Sequence, residues 1–130
     1  MTFESGLPST HAGRPVHALH VRALHELPAA LPSGAVVLIW LEDGDEYVRR
    51  VLSTLAAIAP LAVLFGGNGA EQAWDAVLVA ADGTRTFVTW SESDFEEAVE
   101  DLLFSVFPFE SRWDEWTSYA VVRLQTPENA

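Results

Sequence analysis

A single α/β domain, with a mixed but mostly parallel sheet flanked by helices in Rossmann-like or flavodoxin-like layers, is the fold class this sequence predicts. Three observations carry it. Residues 35–41 (AVVLIWL) are an unbroken apolar run rich in β-branched side chains, the mark of a strand covered on both faces. Residues 61–65 (LAVLF) form a second such run, closed by Gly66-Gly67-Asn68-Gly69. Between and after them, apolar residues recur at helical spacing, and strands alternating with helices give layered α/β architectures.

Taken in chain order, residues 1–14 read as a flexible arm, 15–125 as the domain and 126–130 as a frayed tail. The start carries neither a basic region nor an apolar core of the signal-peptide kind. Residues 16–22 (VHALHVR) predict a first strand, and residues 26–31 one helical turn stopped by Pro32 and Gly34. After the 35–41 strand, Asp43 and Glu46 make a capping box. Val48, Val51, Leu52, Leu55, Ile58 and Ala59 then form one helical stripe that ends at Pro60. Residues 70–74 predict a short helix. Residues 76–80 and 85–90 flank Asp82-Gly83 and predict a β-hairpin near 77–90. Ser93 and Glu96 form another capping box. Phe95, Ala98, Val99, Leu102, Leu103 and Val106 step along one helical face that Pro108 closes. Residues 109–117 predict a loop or single turn, and residues 119–124 (YAVVRL) a last strand.

Composition narrows the function. The chain has 130 residues, 49% of them apolar, which suits one domain with one core. Its net charge is −12, with nineteen acids against seven arginines and no lysine. That field repels phosphates and anionic lipid, so neither nucleic acid nor a membrane is expected as a partner, and it attracts basic surfaces. No segment has the run of about eighteen apolar residues that crosses a bilayer. The absence of cysteine excludes disulfides and thiolate metal sites and suits a cytoplasmic protein.

Candidate chemistry is sparse. Gly66, Gly67 and Asn68 stand between a strand and a helix, where phosphate-cradling loops stand. The spacing matches no phosphate motif, and Glu71 and Asp75 follow it, so a plain tight turn is favoured. Glu42, Asp43, Asp45 and Glu46 follow a strand end, where oxygen clusters hold Mg²⁺. This arrangement superficially resembles the acidic pair of response-regulator receiver domains. Those also need an aspartate after a later strand and a lysine after another, and both are missing. Helix capping accounts for Asp43 and Glu46 without a metal. His11, His17, His20 and His25 show no ligand spacing. Without cysteine, lysine or a nucleophile elbow, no catalytic residues, metal or cofactor are expected.

Residues 90–119 carry the strongest signal. Nine carboxylates (Glu92, Asp94, Glu96, Glu97, Glu100, Asp101, Glu110, Asp114 and Glu115) face one base, Arg112, with Phe95, Phe104, Phe107, Phe109, Trp113 and Trp116 among them. Projected at about one hundred degrees per residue, Phe104 falls opposite the buried stripe, above Glu97, Glu100 and Asp101, with Phe107 at the boundary. Of Trp113 and Trp116, one ring is expected on the sheet and the other in solvent. Aromatic anchors ringed by charge suit protein interfaces. The reading is a non-enzymatic acidic binding module of the inhibitor or immunity type, neutralising a basic partner such as a bacterial toxin or nuclease. Its surface is Glu96, Glu97, Glu100, Asp101, Phe104, Phe107, Trp113, Asp114, Glu115 and Trp116. The alternative is a small Rossmann-like sensor holding a ligand near Asp43, Gly66, Gly67 and Asn68. An enzyme comes third, and a homodimer through the aromatic tract would occupy the same surface.

Overall fold

The computed structural model describes residues 8–21, 31–41, 60–80 and 86–124. The expected helix after Asp43, the residues 22–30 and the Asp82-Gly83 pair lie outside them. The described elements are β1 (Thr10–His11), β2 (Arg14–Val21), β3 (Ala35–Leu41), β4 (Ala62–Gly67), α1 (Ala70–Ala80), β5 (Phe87–Trp90), α2 (Phe95–Ser105), a 3₁₀ helix (Glu110–Glu115) and β6 (Ser118–Leu124). They build a six-stranded mixed sheet in the order β1-β2-β6-β3-β4-β5. Every pairing is parallel except that of β1 with β2.

Alternation along the strands sorts the core into two layers. Val37, Ile39, Leu41, Val63, Phe65, Ala120 and Val122 face one side, where Ala70, Ala73 and Val77 of α1 cover them. Val36, Leu38, Ala62, Leu64, Tyr119 and Val121 face the other, under Ala98, Val99, Leu102 and Leu103 of α2. The register agrees with this sorting, since Val36 stands beside both Ala62 and Tyr119. The central strands β3 and β6 are therefore apolar on both faces, as their sequences require.

Four expectations are corrected. Residues 76–80 are not a strand, because α1 runs through to Ala80. Ala70, Ala73, Trp74 and Val77 have helical spacing, and packing on the sheet overrides the β-branched valines. Among the described residues β5 has no antiparallel partner and lies parallel to β4. The antiparallel pair is β1 with β2, which brings Thr10, His11 and Arg14 into the sheet where a loose arm was expected. The α2 cap is Asp94, which accepts from the Glu97 N–H at 2.9 Å, while the Ser93 N–H goes to Ser91 Oγ at 3.1 Å. SESDFEE offers two capping pairs one residue apart, and the later one is used.

The strand order also differs from the Rossmann and flavodoxin arrangements. In those, the chain starts in the middle of the sheet and winds outward in both directions. Here it starts at one edge, and β6 inserts between β2 and β3.

Candidate functional site: an aromatic rim bordered by carboxylates

The tract after Trp90 folds back across the α2 face of the sheet. Helix α2 starts near the carboxyl ends of the strands, where Phe95 meets Trp40 edge to face at 5.4 Å. It ends near their amino ends, where the 3₁₀ helix leads into β6. Phe109 meets Phe87, the first residue of β5, at 5.9 Å there. The amino rim is stitched by backbone bonds from Thr117 and Ser118 to the Gly34 carbonyl and by the Thr117 hydroxyl donating to Ser33 O.

Along this rim the rings form one continuous chain. Phe104 meets His11 at 4.7 Å, His11 meets Tyr119 at 5.6 Å, and Tyr119 meets Trp116 at 5.6 Å, each edge to face. Trp116 then touches Phe107 and Trp113, both at 5.9 Å, and Phe107 stacks on Trp113 at 6.2 Å with planes 25° apart. The expected division of the tryptophans is present. Trp116 is buried at 7% exposure, whereas Trp113 is 48% exposed, Phe107 43% and Phe104 67%. Trp116 therefore supports the surface from below and contributes little of it.

The exposed rings are held in place. The Trp113 indole N–H donates to the Pro108 carbonyl at 2.9 Å. Arg14 lays its guanidinium over Trp116, 3.7 Å from the ring centroid, and donates from Nε to the Trp116 carbonyl at 3.2 Å. Neither Arg14 nor His11 was foreseen from the sequence. They arrive through the β1–β2 hairpin, whose two-residue turn carries both central residues, Ala12 and Gly13, at positive φ (52° and 79°). That is the backbone pattern of a twisted, tight hairpin turn. Only the Ala12-Gly13 pair hinted at it in the sequence.

The carboxylates of the tract differ in their surroundings. Glu96, Glu97 and Glu100 are exposed on α2, with Glu100 one turn before Phe104. Asp101 accepts from the Ser91 hydroxyl at 3.4 Å and ties α2 to the end of β5. Glu115 takes both Nε and Nη2 of the buried Arg112, at 3.2 and 3.3 Å, so its charge is already offset in the free chain. In a 3₁₀ helix residues three apart eclipse one another. That places exposed Glu110 on the same ridge as Trp113, a neighbour the sequence reading left out of the surface.

The glycine loop lies at the opposite, carboxyl rim. Gly66 is buried against Trp40, where a Cβ would come within 2.8–2.9 Å of the indole ring. Gly67 has φ +83°, and a side chain there would collide with the Leu41 carbonyl. The Asn68 N–H donates to that same carbonyl at 2.9 Å and so points back into the sheet. Close packing and a tight turn account for these residues. Asp43 lies outside the described residues.

Among the described residues no helix is long and apolar enough to cross a membrane. No protein-family model matches the chain, and comparison with curated proteins and with solved structures finds no significant similarity.

Proposed function

We propose that this chain is a non-enzymatic acidic binding module of the inhibitor or immunity type, which neutralises a basic protein such as a bacterial toxin or nuclease, in a cytoplasmic setting. The observation that carries the reading is the set of Phe104, Phe107 and Trp113 held 43–67% exposed on one rim of a chain of charge −12. Leaving such rings in water forfeits up to about 2 kcal/mol each relative to full burial. A docked partner recovers that energy, and few loosened rotamers need re-ordering because the rings are already packed on one another. Glu96, Glu97, Glu100, Glu110 and Asp114 supply the long-range attraction that brings a cationic surface in. The rim lies at the amino ends of the strands. Small ligands of open α/β sheets bind beyond the carboxyl ends, which favours a macromolecular partner here.

The test begins with affinity capture from the native host, identification of the bound protein, and an assay of whether the chain inhibits that protein's activity. With the purified pair, the association rate should fall steeply as salt rises. Replacing Glu97 and Glu100 together by lysine should slow association and flatten that dependence. Phe104→Ala should leave Tm nearly unchanged and speed dissociation about tenfold or more. An acidic partner, or an association rate indifferent to salt and to the charge reversals, refutes the reading.

A further inference from the structure

Trp113 is an exposed ring of the rim whose neighbour Trp116, unlike it, is already covered by an arginine. Among the described residues arginine stacks on aromatic faces at two places: Arg14 over Trp116 at 3.7 Å and Arg123 over Phe95 at 4.9 Å. In the first pair the guanidinium also finds an oxygen, the Trp116 carbonyl. Trp113 offers the same components facing outward. Its indole is nearly half exposed, oriented by the bond to Pro108 O and backed by Phe107. Glu110 shares its ridge and Asp114 follows it in sequence. Among the described residues no arginine stacks on it, because Arg14 serves Trp116 and Arg112 is committed to Glu115.

We propose that Trp113, backed by Phe107 and bordered by Glu110, seats an arginine side chain of the basic partner, so that the rim reads guanidinium in preference to ammonium. The inference rests on the binding reading above and deepens it by naming the recognised group. A guanidinium is planar, weakly hydrated and able to stack while its edge donates to a carboxylate. An ammonium is a compact, strongly hydrated point charge that gains less from a ring face. Electrostatic attraction alone treats the two alike. The ring converts an acidic patch into a selective one.

The experiment uses two probes of equal charge, hexa-arginine and hexa-lysine, titrated into the whole chain at low and at physiological ionic strength. Hexa-arginine should bind about two- to fivefold tighter than hexa-lysine, the scale of one exposed cation–π contact. Trp113→Leu should bring the ratio close to one while leaving hexa-lysine affinity unchanged, which separates stacking from the general liking of guanidinium for carboxylates. Trp113→Phe keeps a ring in the stack and should give an intermediate ratio, so the proposal stays testable if the leucine variant fails to fold. Phe104→Ala should leave the ratio as in the parent chain. Equal affinities for the two peptides overturn the arginine seat, and so does a ratio that survives both Trp113 substitutions. If both peptides still bind with steep salt dependence, the acidic docking surface stands and only its selectivity is lost. If neither binds at low salt, the docking reading falls with it. Concentration-dependent self-association abolished by Trp113→Leu also overturns the seat, because a second copy would then occupy it.

Discussion

Tyr119 stands near the start of the last strand with its ring enclosed by His11 and Trp116. Burial raises its phenol above the ordinary 10.0, and the Arg14 guanidinium pulls it partly back. A phenol whose pKa is raised by folding favours the neutral form. Its contribution to stability is whole below a pH of about 10 and is lost as pH climbs through the folded value. Alkaline titration followed by phenolate absorbance and circular dichroism should therefore show Tyr119 ionising above the unfolded value, with loss of structure beginning in that window. Arg14→Ala removes the opposing charge, so the ionisation should move to still higher pH. Immediately before Tyr119 stands Ser118, whose buried Oγ has no hydrogen-bond partner among the described residues. An unmet buried hydroxyl costs on the order of 1 kcal/mol or more. Ser118→Ala should leave Tm unchanged or raise it, and a clear fall would reveal that the hydroxyl has work in the folded chain.

Among the elements, the β1–β2 hairpin has the weakest local sequence support for the position it holds. Ala12 occupies the left-handed region, which costs an L-residue about 1 kcal/mol. Ala12→Asn creates the Asn-Gly pair favoured in this turn. It should raise Tm modestly and increase hydrogen-exchange protection of the Val16 amide, which donates to Ser9 across the hairpin. How far each element was readable depends on where its information lies. AVVLIWL and YAVVRL are central strands because two-sided burial leaves an uninterrupted apolar run, visible without the fold. Helix α2 was equally legible, since its period is written in Ala98, Val99, Leu102 and Leu103, and the exposure of Phe104 follows from the same projection. The second half of α1 was not. AVLVA fits either period over so short a window, and only the packing of Val77 in one cluster with Val63, Phe65 and Val88 decides for the helix. Arg14 on Trp116 spans 102 residues of sequence, a separation at which no local pattern speaks. The position of β6 is hidden for the same reason.

At the scale of the whole molecule, charge and topology set the behaviour. A chain of charge −12 repels itself when folded, and counter-ions relieve that repulsion. Raising salt from very low levels to about 0.15 M shortens the screening length to about 8 Å. Tm of the free chain should rise over that range, the opposite of the salt effect expected on association with a cationic partner. A scan that falls instead would show that attractive surface pairs outweigh the net field. The sheet order carries a second consequence. Strand β2 meets β3 only through β6, whose residues come about a hundred positions later. While the polypeptide is being made, the early hairpin has no place in the sheet until Ser118–Leu124 has emerged. Assembly therefore waits for the closing wedge, and ribosome-bound intermediates stalled before it should be readily cleaved by protease in a way that the finished chain is not.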